Sequence, residues 1–140
     1  PNQKLTFSGN FEKNISIQEY RAITWHHPLG EESKVAIKDD SWLIFKEPKG
    51  APIHSIHSGK VVVSGPDIPG YGNLVMISHP DGYLSLYAHC DKIFVEQGDD
   101  VGKGVMIARL GNSEAAYPML RFQLRKNGKP IKADKLNSLF

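Results

Sequence analysis

The six histidines and the single cysteine are the side chains of this chain best suited to chemistry. They fall as an adjacent pair, His26 and His27; a pair three apart, His54 and His57; and two isolated residues, His79 and His89, the last followed by Cys90. Imidazole titrates near neutral pH and ligates borderline divalent metals, so these residues could move protons or hold zinc. His89 beside Cys90 invites a thiolate nucleophile. Neighbouring residues on a strand point to opposite faces, however, so the pair cannot cooperate directly and Cys90 is expected to be a buried structural thiol. The same rule separates His54 from His57, which are expected on the surface. His26 and His27 precede Pro28, which biases its neighbour toward extended backbone.

The elements that must position these groups are short strands. Gly (13) and Pro (9) punctuate the chain at short intervals from Pro48 onward, with β-branched and aromatic residues between them. Lys60 to Ser64 reads as a strand stopped by Gly65-Pro66, and Asn73 to His79 as another. Pro80-Asp81-Gly82 makes a tight reversal into a strand from Tyr83 to His89. That strand alternates: Leu84, Leu86 and Ala88 are expected in the core, and Tyr83, Ser85, Tyr87 and His89 on an outward polar and aromatic face. Met119 to Arg125 alternates as well, with Leu120, Phe122 and Leu124 inward and Met119, Arg121, Gln123 and Arg125 outward. Asn127-Gly128 is a strong hairpin signal after it. Val95 to Ile107 continues the rhythm of strands and turns. In the first half, Ser16 to Glu19 fits a capping box opening a short helix up to about Ile23, although Ile15 and Ile17 alternate equally well as a strand. Trp25 and Trp42 are expected to fill the core of that half.

Composition bounds the function classes. A chain of 140 residues with 40% hydrophobic and 23% charged residues is one ordinary globular domain. A net charge of +2, with no basic run, argues against nucleic acid as a partner. One cysteine excludes an internal disulfide and a multi-cysteine zinc site. No apolar run approaches the ~18 residues of a membrane span. The chain begins at Pro1 without a signal-peptide pattern, so any export signal or anchor is expected upstream and any membrane association only through that region.

From Ala51 to Ile131 the motifs and their order resemble the LytM-type (lysostaphin-like, M23) zinc peptidases. The resemblance rests on Gly50-Ala51-Pro52-Ile53, on Ser58-Gly59-Lys60-Val61-Val62, and on the glycine loop Gly70-Tyr71-Gly72-Asn73. It also rests on the strand ending Tyr87-Ala88-His89, on the Val95 to Ile107 run, and on Phe122 to Pro130. It implies an all-β fold of antiparallel sheets and hairpins, with residues 1–40 as an N-terminal extension packing on a domain of residues 41–140. Active members hold zinc on a His and an Asp four residues apart and on the last His of an H-x-H, with two further histidines handling the water. Those positions fall here on Asp40, Ile44, Met119, Arg121 and His89. Only His89 survives, as a relic: Ile44 offers no donor and Arg121 is a cation that cannot be deprotonated. The resemblance therefore implies a pseudoenzyme, with no catalytic residue, no metal and no cofactor.

What the resemblance implies instead is a noncatalytic regulator or scaffold in peptidoglycan remodelling and cell division, similar to the EnvC and NlpD type of amidase activator. Such a protein works in the periplasm or otherwise outside the cytoplasm. Its expected partner is a cell-wall amidase or another envelope protein, with peptidoglycan itself a further candidate. The vacated groove, lined by Tyr83, Tyr87, His89, Met119, Arg121, Gln123, Arg125, Asp40 and Ile44, is the expected partner-binding surface. Two alternatives stand beside it: a peptidoglycan endopeptidase using Asp40, His26 or His27 as unusual zinc ligands, and a lipoyl- or biotin-carrier hairpin. The second needs a modifiable Lys in a Met-Lys-Met-like setting, which Lys60, Lys103 and Lys126 all lack.

Overall fold

The computed structural model describes residues 23–140. The helix expected from Ser16 lies outside these residues except for Ile23, which is not helical. Ten strands follow: β1 (Ile37–Asp39), β2 (Trp42–Phe45), β3 (Pro52–His54), β4 (Gly59–Ile68), β5 (Gly72–Ser78), β6 (Tyr83–Ile93), β7 (Asp100–Val101), β8 (Met106–Leu110), β9 (Leu120–Lys126) and β10 (Lys129–Pro130). Among the described residues the one α-helix is short, α1 (Ala133–Asn137), near the C-terminal end. All pairings are antiparallel, in the order β1-β2-β9-β6-β5-β4-β7, with β10 on β9 and the β3–β8 ladder joined through β6. The all-β reading is correct, with one short helix added.

The turns form where their residues dictate. Pro80 to Gly82 reverses the chain, with Asp81 at φ 65° and Gly82 at φ 81°. Asn127 and Gly128 make a two-residue turn between β9 and β10 with both residues left-handed, at φ 51° and 82°. Gly65-Pro66 does not end β4, which runs on to Ile68; the register shifts between Gly65 and Ile68, and that irregularity absorbs a proline that has no N–H to give. Asp40 and Ser41 join β1 to β2 in a hairpin, so the expected division between residues 40 and 41 falls inside a turn.

The sheet is covered on both sides. The main core gathers Leu43, Phe45, Ile53, Ile56, Val75, Ile77, Ile107, Leu110, Leu120, Phe122 and Leu124, and Ile23, Trp25, Leu29 and Val35 pack on it from the N-terminal segment. Each fully buried Leu, Ile or Phe contributes about 1.5–3 kcal/mol relative to exposure, so this layer carries most of the stability. A second cluster of Trp42, Leu74, Leu86 and Ala88 lies separately, with Val63, Ile68, Tyr71, Met76 and Leu84 around it.

This arrangement corrects the expected faces of β6. Ser85 is opposite Leu124, and Tyr87 opposite Phe122, so the Tyr83, Ser85 and Tyr87 side is the one that enters the main core. Leu84, Leu86 and Ala88 face the other way, opposite Arg125, Gln123 and Arg121. The buried tyrosine is tolerated because its hydroxyl is satisfied: it accepts from the Ile56 N–H at 3.1 Å and bonds Ser85 Oγ at 2.8 Å. Burial pushes the Tyr87 phenol up to about 12.

Candidate binding groove on the second face of the sheet

β2, β9 and β6 lay their non-core residues side by side. Ile44 pairs with Arg121, and Arg121 with Ala88. A regular β6 would turn His89 to the core side with Tyr87. Instead Ala88 and His89 together oppose the single residue Leu74 of β5, between the pairs Tyr87–Val75 and Cys90–Asn73. This bulge, with His89 at φ 67°, sends Cys90 back into the main core and keeps His89 on the side of Arg121. A left-handed non-glycine backbone costs on the order of 1–3 kcal/mol and persists only where the surroundings hold it. Here the His89 N–H donates to the Tyr71 carbonyl at 2.8 Å, and the ring Nδ1 lies 2.8 Å from the Ser113 carbonyl. A carbonyl can only accept, so Nδ1 carries the proton and Nε2 is the lone-pair nitrogen. Burial holds the His89 pKa below its ordinary value, opposed by the Ser113 bond and reinforced by the Arg121 charge. The imidazole is neutral at pH 7.

Arg121 stands at the centre. Its guanidinium lies 4.1 Å over the ring of Trp42, whose own ring is 5.8 Å from that of Tyr71. Cation–π stacking of this kind holds a guanidinium flat while leaving its N–H edge available. Arg121 is half-buried and has no carboxylate partner among the described residues. Tyr71 comes from the β4–β5 loop, which is locked to the β8–β9 loop: Ser113 Oγ accepts from the Asn73 N–H and donates to the Cys90 carbonyl, and Glu114 accepts from the Gly70 N–H. Gly72 makes this approach possible, since a Cβ there would stand 2.3 Å from the Ser113 carbonyl oxygen.

The expected groove residues divide. Ile44, Arg121 and His89 come together, and Arg125 lies further along β9, its Nε donating to Gln123 Oε1 at 2.7 Å. Gln123 is buried and spends its amide on Ser41 at 2.9 Å, and Met119 is buried with its N–H on the Gly111 carbonyl. Tyr83 and Tyr87 belong to the core rather than to the groove, because alternation fixes which residues of β6 share a face and this face is the one that meets the main core. Asp40 is an exposed turn residue paired with Lys132 at 2.8 Å, not with Arg121. Trp42 and Tyr71 are neighbours of Arg121 that the sequence reading did not place in the groove. Both had a signal: Trp42 stands two residues before Ile44, on the same face of a strand, and Tyr71 lies inside the glycine loop.

The zinc that this family of folds implies does not fit. Of the positions that would hold it, Ile44 has no donor, Arg121 repels a dication, and His89 alone offers one neutral nitrogen. The alternative ligands are elsewhere. His27 packs on Phe45 and Phe140 and accepts the Leu29 N–H, on the core side of β2, while His26 lies against His54. No three His, Cys, Asp or Glu side chains among the described residues gather to hold an ion. Cys90 is fully buried, its thiol pushed up to about 12 by burial, which leaves no thiolate for chemistry. His79 is a structural residue, bonded to the Ser58 carbonyl and to Ser85 Oγ, both at 2.8 Å. His54 and His57 are half-buried rather than surface residues.

The antiparallel sheet is that of the zinc-peptidase fold, and its second face carries Arg121 stacked on Trp42. The chain belongs to peptidase family M23, whose sequence profile it matches over residues 43–133. It is 45% identical to the YgeR lipoprotein of Escherichia coli over 78 residues, covering 56% of this chain and 31% of that protein. It is 40% identical to the murein hydrolase activator NlpD of the same organism over 83 residues, covering 59% of this chain and 22% of that one. The chain thus spans a third or less of the length of these two relatives. Among solved structures, a zinc-containing peptidase from Vibrio cholerae superposes with a TM-score of 0.73 at 26% identity, covering 79% of this chain and 39% of that one. Lysostaphin from Staphylococcus simulans gives 0.68 at 25%, covering 76% and 49%.

Proposed function

We propose that this chain is a noncatalytic activator or scaffold in peptidoglycan remodelling, which binds a cell-wall hydrolase of the amidase class through the face that carries Arg121. The observation behind it is the Arg121 site itself. A half-buried guanidinium stacked on Trp42, beside the neutral His89 and without an acidic partner among the described residues, is arranged to receive a carboxylate. Aromatic rings and arginine are also the residue types in which binding energy concentrates. The relatives support the same reading, several being named murein hydrolase activators or envelope lipoproteins. In this reading the sheet domain is the binding domain, the segment before β1 packs on its core through Ile23, Trp25, Leu29 and Val35, and the protein acts outside the cytoplasm. The partner supplies the hydrolytic chemistry, and Ile44, His89, Arg121 and Arg125 line its docking surface.

The reading is tested with dye-labelled peptidoglycan and a purified cell-wall amidase. The chain alone should release no dye and hold no zinc that depends on His89, while its addition should raise release by the amidase. Dye release by the chain alone, with one bound zinc lost on His89→Ala, would establish an enzyme instead.

A further inference from the structure

Outside the groove, His26 and His54 form a pair that neither the fold nor the proposed function uses. The segment before β1 runs antiparallel to β3: the His26 N–H donates to the Ile56 carbonyl at 2.9 Å and the His54 N–H to the Pro28 carbonyl at 2.7 Å. That ladder makes His26 and His54 diagonal neighbours, with ring centroids 5.4 Å apart. Each ring rests its Nδ1 on a main-chain carbonyl, His26 on His27 at 2.7 Å and His54 on Pro28 at 3.3 Å. A carbonyl only accepts, so both Nδ1 atoms carry the proton and both Nε2 atoms keep a lone pair. This is the outer hydrogen bond that metal-ligating histidines ordinarily make, fixing tautomer and ring orientation.

The spacing suits the same purpose. Two imidazoles on one tetrahedral ion, with metal–nitrogen bonds of about 2.0–2.1 Å, place their ring centroids roughly 5 Å apart. The ring of His26 is also given its place: Gly104, at φ 81°, packs along its Cδ2–Nε2 edge, where a Cβ would stand 3.0 Å from Cδ2 and 3.3 Å from Nε2. The nearby Lys103 is engaged with Thr24 Oγ1 at 2.7 Å. Both histidines are half-buried, which leaves a solvent side for the remaining ligands.

We propose that His26 and His54 form a two-histidine site for a borderline divalent cation of the Cu2+, Ni2+ or Zn2+ class, its other positions filled by water. No third His, Cys, Asp or Glu among the described residues joins them. The ion would staple residues 26–28 to β3. Because it binds the folded chain and finds the pair unassembled in the unfolded one, it stabilises the fold.

The test is a titration of the full chain with CuCl2, NiCl2 and ZnCl2, followed by calorimetry, by the side-chain NMR signals of the histidines and by thermal melting. One equivalent should bind, Cu2+ more tightly than Ni2+ or Zn2+ in keeping with the Irving–Williams order. The His26 and His54 signals should move first, and the melting temperature should rise. His26→Ala and His54→Gln should each weaken binding by at least about tenfold, the scale on which even outer-shell losses act, and abolish the rise. His57→Ala and His89→Ala should change neither. Absence of saturable binding, or binding that survives in both variants, overturns the site. Binding lost with His89→Ala overturns it as well and places the ion in the groove, an outcome distinct from a failure of amidase activation.

Discussion

At the scale of single residues, Arg121 decides between two physical accounts of the vacated groove. A cation that merely filled the old metal position would need an internal counter-charge, and Asp40, the acidic residue among the expected groove positions, is turned away onto Lys132. Arg121→Glu is therefore expected to leave the melting temperature within a few degrees and to weaken the amidase complex by a hot-spot amount, on the order of 2 kcal/mol. A large loss of stability with unchanged affinity of the folded fraction, read by calorimetry and thermal melting, would retire the groove. Tyr87 is the opposite kind of residue. Its hydroxyl is buried, accepts the Ile56 N–H and joins Ser85 and His79 in one hydrogen-bonded chain. Tyr87→Phe strands the Ile56 donor and should cost about 1–3 kcal/mol in urea unfolding, while leaving partner affinity unchanged.

At the scale of elements, the loops flanking the groove act through their close approach. Gly72→Ala would add about 1–2 kcal/mol of left-handed backbone strain and drive a methyl group against the Ser113 carbonyl. The expected result is a general loss of stability and faster hydrogen exchange at the His89 N–H, whose acceptor is the neighbouring Tyr71 carbonyl. Unchanged exchange there would mean that the two loops are not locked together. Strands, turns and the order of motifs were legible because Gly, Pro and alternation are local signals. Ile44 and Arg121 were singled out only through the family resemblance, and the structure makes them cross-strand partners. The side of β6 that meets the main core was not, because alternation fixes which residues share a face and not which face lies deeper. Both faces of β6 are covered, and Tyr87 looks polar until Ile56 and Ser85 are seen to satisfy it. The bulge at His89 was invisible as well, because the left-handed residue is a histidine and not a glycine.

At the scale of the whole molecule, two buried layers on one sheet leave several imidazoles poorly solvated, and this couples folding to pH. Burial is the largest cause holding His27, His79 and His89 below the ordinary value of 6.5, opposed in each by a hydrogen bond to the main chain. In the unfolded chain these rings return to about 6.5. Between that value and the lower folded ones, the unfolded state binds more protons, so stability must fall as pH falls. Their contribution is complete above about pH 7 and is lost progressively as pH drops through 6.5 toward the folded values. Asp134, held low by Lys38 on the surface, acts only in a more acid range, below the ordinary carboxylate value. The histidine window is therefore separable. The midpoint of urea unfolding, measured at pH 7.5, 6.5 and 5.5, should decrease stepwise, and the decrease should be smaller in His79→Gln, which removes one titrating ring while keeping a side chain able to reach Ser58 or Ser85. A midpoint that stays level or rises across that range would mean that burial does not hold these rings below their unfolded value.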